Sequence, residues 1–260
     1  MQNRKPGHQT RQSIENKRNI RLTLAFDGTA YHGWQIQNDS TTLQGLLAEA
    51  IARITGEQVS LTGSGRTDAG THARSLVANF YTGSRITPEQ LVRALNSLLP
   101  RDVRILSARQ VPVHFHARRN AISKVYRYQI YLGPIMPPHL MREHFHYPLP
   151  VDIQKMAQAA RLFLGEHDFA SYAKTSAKTS STIRRIFRCE LKKQGHRLLL
   201  TVEGSGFLHH MVRNMAGTLL EVGRGSISLT DFQELFSKRD RRLAGFTAPA
   251  LGLILLKVKY

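Results

Sequence analysis

Residues 87–106 read Thr87-Pro88-Glu89-Gln90-Leu91-Val92-Arg93-Ala94-Leu95-Asn96-Ser97-Leu98-Leu99-Pro100-Arg101-Asp102-Val103-Arg104-Ile105-Leu106. Thr87, Pro88 and Gln90 fill the N-cap, the first helical position and the place of the capping-box partner, where a missing proline N–H costs nothing and the Gln side chain can bond back to the cap. Leu91, Ala94, Leu95 and Leu98 then recur at helical spacing and form one apolar face. Pro100 stops the helix, and Val103 to Leu106 makes a strand. Helix followed directly by strand is the closing piece of a larger unit, and the rest of that unit lies upstream. Leu22, Leu24 and Phe26 alternate as a strand, and Asp27-Gly28 supplies a turn. Leu43, Leu46, Leu47, Ala50, Ile51 and Ile54 recur as a helix, with Gly56 where a helix C-terminus favours glycine. Short strand-like runs at Val59 to Leu61 and Leu76 to Tyr81 flank a Gly-rich stretch, so the order is β-α-β-β-α-β.

The same order returns downstream with longer connections. Val125 to Leu132 alternates as a strand, and Asp152 caps a helix with Met156, Ala157, Ala160 and Leu164 on one face. Strands follow near Ile183 to Leu191 and Arg197 to Val202. A helix then spans Leu208 to about Val222 with Gly223 as its stop, a shorter one follows Thr230, and Leu253 to Tyr260 closes the sheet. The pattern predicts an α+β protein of two ferredoxin-like halves, their antiparallel sheets meeting at a basic cleft. The boundaries read as a flexible basic tail over 1–19, an N-terminal domain over 20–112 and a C-terminal domain over 113–260, joined near residues 109–120.

Charge narrows the class of partner. In 260 residues, Lys plus Arg number 37 against 18 acidic residues, a formal net charge of +19 that favours a polyanion through counterion release. Membrane surfaces and acidic proteins would answer the same charge. The single cysteine, Cys189, excludes an intramolecular disulfide and a multi-thiolate zinc site, which fits a cytoplasmic protein. The longest apolar run, Leu251 to Leu256, is far too short to span a bilayer, and the first residues have no apolar centre of the secretory kind, so no membrane partner is expected.

The stretch that carries chemistry is Gly63-Ser64-Gly65-Arg66-Thr67-Asp68-Ala69-Gly70-Thr71-His72-Ala73. Its glycines imply a loop that turns tightly or approaches a ligand closely. Thr71-His72 stands where a phosphate loop requires Lys and Ser or Thr, and Asp68 stands where a dinucleotide fingerprint requires its third glycine. What remains is a loop that presents one aspartate two residues after an arginine. An ordinary turn, with Asp68 bonded to its own backbone, is the competing reading.

This segment resembles the G-x-G-R-T-D-A-G-V-H-A signature of the tRNA pseudouridine synthase A family. The resemblance runs from about residue 20 to the C-terminus. It takes in Phe26-Asp27-Gly28-Thr29, Tyr31, Gly33-Trp34-Gln35, Asn96, Leu99-Pro100 and Phe115-His116-Ala117-Arg118, then Lys124, Tyr126, Tyr128 and His167-Asp168-Phe169. Phe207, His209-His210-Met211-Val212-Arg213-Asn214 and Gly252-Leu253 complete it. Thr71 replaces the usual Val, and Pro249 is a departure in the closing segment.

The resemblance implies isomerisation of uridine to pseudouridine at positions 38, 39 and 40 of tRNA, without metal or cofactor, by a homodimer. Asp68 would be the nucleophile, a role that an ionised and well-placed carboxylate can fill. Arg213 would keep it charged, Tyr126 would contact the uracil, Leu253 would wall the pocket, and Arg66 would fill the space left by the flipped base. Phe115, His116, Arg118, Arg119, Lys174, Lys178, Arg184 and Arg185 are expected at the RNA, and Arg188 extends the same basic run, since Ser171 to Arg188 carries no acid. Two other classes stay open from the residues alone. One is a non-catalytic RNA-binding module; the other is a metal-dependent hydrolase using some of the histidines, such as His114 and His116, His144 and His146, or His209 and His210, none of which forms a recognised ligand pattern.

Overall fold

The computed structural model describes residues 17–174 and 180–260. Most of the basic tail, and Lys178, lie outside the described residues. The first strand begins at Arg18, slightly before the boundary expected at residue 20.

The N-terminal half runs β1 (Arg18–Phe26), α1 (Leu43–Thr55), β2 (Thr62–Gly63), β3 (His72–Thr82), α2 (Pro88–Leu98) and β4 (Val103–Val111). The C-terminal half runs β5 (Ser123–Tyr131), β6 (Phe145–His146), α3 (Ile153–Arg161), β7 (Gly165–Asp168), β8 (Ile183–Gln194), β9 (Arg197–Gly204), α4 (Met211–Arg224), α5 (Leu229–Lys238) and β10 (Leu253–Lys259). The class is mixed α+β, with a large and mostly antiparallel sheet. At α2 the capping box is complete: Thr87 Oγ1 accepts from Gln90 N, and the Gln90 side chain accepts from Thr87 N. In β1, Ile20, Leu22, Leu24 and Phe26 are buried, and they share a core with Leu43, Leu47 and Ile51 of α1 and Leu91 and Leu95 of α2. Each such side chain contributes about 1.5–3 kcal/mol by leaving water.

The strands are ordered β4-β1-β3-β10-β5-β9-β8-β7, with β2 on β3 and β6 on β5, in one ten-stranded sheet. Two separate sheets were expected; instead the halves are fused edge to edge. The join is the parallel pairing of β10 with β3 at Ile254–His72 and Leu255–Ala73. On its other side β10 pairs antiparallel with β5, setting Leu253 opposite Tyr128 and Leu255 opposite Tyr126. The join falls at the point where the chain leaves the Gly-rich loop, and it brings that loop beside β5.

Three local expectations shift. The short strand expected at Val59 to Leu61 forms instead at Thr62–Gly63, and Leu61 goes to the core. Asp152 does cap α3, but that helix ends at Arg161, leaving Leu164 exposed and burying Phe163 in its place. Gly223 lies inside α4 rather than at its end. A methyl group there would stand 2.8 Å from Met156 Cγ and Sδ, so the glycine allows close approach of α3, and the helix stops at Gly225 with φ +82°.

Candidate active site

The Gly-rich loop is held by its neighbours at both ends. Ser64 N donates to Val77 O at 2.7 Å, and Thr71 N closes a turn on Asp68 O at 3.1 Å. Between these, Trp34 N donates to Thr67 O at 3.2 Å and Gly70 N to Tyr31 O at 3.2 Å. Residues 31–34 therefore strap the loop. Gly33 has φ +83°, and a Cβ there would lie 2.4 Å from Thr67 O, so no other residue fits that position without displacing the loop.

Asp68 is thereby presented to the start of α4. Arg213 Nη1 donates to Asp68 Oδ2 at 2.9 Å, and both side chains are only 14% exposed. Arg213 Nε donates in turn to Ala248 O at 2.7 Å, which fixes the plane of the guanidinium. His209 Nε2 stands 3.2 Å from Asp68 Oδ1, and His210 Nε2 stands 3.5 Å from Oδ2. Two consecutive side chains reach one carboxylate because His210 has φ +64°, a left-handed conformation that costs a non-glycine residue on the order of 1–3 kcal/mol. Burial pushes the His210 imidazole down to about 4, and Arg213, His209 and Lys174 act in the same direction against the opposing pull of Asp68. His210 is therefore neutral near pH 7, and the fixed cation beside the carboxylate is Arg213.

Tyr126 is buried on β5 and packs edge-on against Phe207 at 5.1 Å. Burial, followed by the charge of Asp68, raises its phenol well above the ordinary value, so the hydroxyl stays protonated at neutral pH. It faces the loop: a methyl group at Gly65 would lie 3.9 Å from Tyr126 Oη and 3.3 Å from Lys124 Nζ. Leu253 is buried at the start of β10, opposite Tyr128. Tyr128 itself donates to Pro249 O at 2.6 Å, a bond to the backbone carbonyl that does not depend on the side chain at the departure.

The remaining sequence-derived candidates divide by exposure. Arg66, Arg118, Arg119, Lys174 and Arg185 are exposed, and Arg184 is half-buried. Arg188 is also exposed, although Glu190 sits 2.8 Å from it. Phe115 and His116 are engaged within the protein. Phe115 packs on Tyr260 at 5.2 Å, its carbonyl accepts from Asn19 Nδ2 at 2.8 Å, and His116 Nδ1 accepts from Arg118 N at 3.2 Å.

Sequence reasoning named His209 and His210 only within a motif and as loose histidines, and did not place them on Asp68. Their position just before the helix that carries Arg213 was the available signal. Together with Asp68 they offer ligand atoms within 4.8 Å of one another, a donor set that suits a transition metal. Arg213 already occupies one carboxylate oxygen and opposes a second cation there.

The family model described as tRNA pseudouridine synthase matches residues 23–119 and 159–260. The chain is 43% identical over 243 residues to tRNA pseudouridine synthase A of Caldicellulosiruptor saccharolyticus, covering 94% of this chain and 100% of that protein. It is 44% identical over 246 residues to tRNA pseudouridine synthase A of Solibacter usitatus, again covering 94% and 100%. Among solved structures, a chain of the archaeal box H/ACA sRNP Nop10-Cbf5 complex aligns with a TM-score of 0.37 and 12% identity, over 90% of this chain and 60% of that one.

Proposed function

The chain belongs to the tRNA pseudouridine synthase family, and on that premise we propose that it isomerises uridine to pseudouridine at positions 38, 39 and 40 of tRNA, in the anticodon stem and loop, with Asp68 as nucleophile. The observation that carries this reading is the Asp68–Arg213 ion pair, which joins a loop of one half of the chain to a helix of the other. The reaction breaks the N1–C1′ bond, forms a C5–C1′ bond and moves the proton from C5 to N1. Nothing is oxidised or reduced, so the demand on the protein is a charged carboxylate held close to its target.

Arg213 supplies the opposite charge at 2.9 Å from Asp68 Oδ2 and holds the carboxylate in place. Tyr126 stacks on the uracil and its hydroxyl assists removal of the C5 proton, while Leu253 supplies an apolar wall. The target nucleotide leaves its stack at a cost of roughly a few kcal/mol, and Arg66, exposed on the loop, occupies the space vacated. Phe115, His116, Arg118, Arg119, Lys174, Lys178, Arg184 and Arg185 contact the RNA, the cations through its backbone.

We read the two halves, 20–112 and 113–260, as ferredoxin-like units. The strand order β4-β1-β3-β2 in one and β10-β5-β9-β8 in the other supports this. A basic cleft then lies where the halves meet around Asp68. We take the working unit to be a homodimer acting in the cytoplasm, in keeping with a tRNA substrate. No helix among the described residues is long and apolar enough to cross a membrane. The experiment that tests the proposal is chemical or mass-spectrometric mapping of pseudouridine in tRNA incubated with the purified protein. New pseudouridine confined to positions 38 to 40 supports it, and modification elsewhere or none contradicts it.

A further inference from the structure

Among the described residues Lys124 is a cation with no counter-ion. Half-buried on β5, it lies on the same face as Tyr126, and no carboxylate among the described residues comes within ion-pair distance of its amine. The charged groups that act on it are Arg118, from the segment joining the halves, and Arg184, at the start of β8. From the Gly-rich loop it is faced by Gly65, three residues before Asp68, and from its own strand by the Tyr126 hydroxyl. Three cations therefore converge on the edge of the site without an acid among them. Their mutual repulsion and the burial of one of them are costs that an incoming anion offsets.

We infer that Lys124, with Arg118 and Arg184, forms an anion site that takes an RNA backbone phosphate next to the target nucleotide. This rests on the proposed function above and adds to it a defined contact close to the reacting base. A lysine is suited to the task because its ammonium acts as a compact point charge that needs no bidentate geometry. Arg184 is steadied by donating to Ser181 O at 3.0 Å and to Ile183 O at 2.5 Å, and a Cβ at Gly206 would lie 3.7 Å from its Nε. The glycine thus leaves room for the guanidinium to lie along the chain.

The site has a pH signature. Burial foremost, and then Arg118 and Arg184, push the Lys124 amine down to about 8 in the free protein. Phosphate binds the protonated form, so affinity from this contact is complete below pH 8 and declines as the pH rises past it. Tyr126 is shifted upward, away from this range, and arginines keep their charge throughout it, whereas Lys124 titrates within it.

The test measures binding of an anticodon stem-loop RNA between pH 7 and 8.8 by the parent, Lys124→Arg and Lys124→Met, with thermal melts to confirm folding. The parent should lose affinity as the pH rises. Lys124→Arg should bind with a flatter pH profile, and Lys124→Met should bind roughly tenfold more weakly with a salt slope reduced by about one. A pH profile of Lys124→Arg that matches the parent, or undiminished affinity of Lys124→Met, overturns the inference. Absence of pseudouridine formation by the parent would instead overturn the proposed function, so the two failures are distinguishable.

Discussion

Arg213 Nη1 lies 2.9 Å from Asp68 Oδ2 although the two residues are 145 positions apart in the chain. The same guanidinium donates through Nε to Ala248 O, so three separate segments define the position of one negative charge. The left-handed His210 opens the helix that carries Arg213, and Gly33 clamps the loop that carries Asp68. A site assembled this way is preorganised by the fold, which is the condition for electrostatic catalysis.

Replacing Arg213 by lysine keeps the charge but cannot satisfy both Ala248 O and Asp68 Oδ2 with a planar fork. The single-turnover rate of pseudouridine formation should fall by about a hundredfold or more, the scale of losing one preorganised electrostatic partner. Affinity for tRNA should change little. Quenched-flow or manual time courses at saturating enzyme decide the matter, and a rate close to that of the parent would show that the fixed geometry is unimportant.

Tyr126→Phe preserves the ring against Phe207 and removes only the hydroxyl. If that hydroxyl assists proton removal, the rate should drop by about 10²-fold to 10⁴-fold while RNA affinity is retained. Unchanged turnover would reduce Tyr126 to a stacking surface.

Gly33→Ala forces a Cβ to 2.4 Å from Thr67 O in a backbone with φ +83°. The expected cost is about 1–3 kcal/mol of stability, read from denaturant unfolding, with loss of activity as the loop is displaced. A variant as stable and as active as the parent would remove the strap from the account.

The parts of this structure that were legible in the sequence are those fixed by local chemistry. The Thr87-Pro88-Gln90 box places α2 to the residue, and Asp152 and Gly56 mark helix ends through their own backbone geometry. The β10–β3 join was not legible, since only two residue pairs make it and they bring together segments far apart in the chain. Gly223 misled for a related reason: its absent side chain serves the packing of α3 and not the end of a helix. At the site, the loop motif and Arg213 could be named from family resemblance. The convergence of His209 and His210 on Asp68 depends on one positive φ that no local pattern announces.

Activity should survive exhaustive chelation, because the proposed chemistry assigns no metal to Asp68, His209 and His210. Turnover after dialysis against a strong chelator, compared with an untreated sample, tests this directly. Activity lost to the chelator and restored by zinc would turn the same cluster into a metal centre and overturn the metal-free mechanism.

The central claim is that Asp68 acts as the nucleophile and does more than hold its loop. Asp68→Asn keeps the shape of the side chain and its capacity to hydrogen-bond in a turn, but an amide is a poor nucleophile. The decisive measurement is pseudouridine yield by Asp68→Asn under single-turnover conditions, alongside tRNA affinity by filter binding and a mass check against deamidation. The account predicts unimpaired binding with no pseudouridine formed; substantial pseudouridine from the pure variant would contradict it.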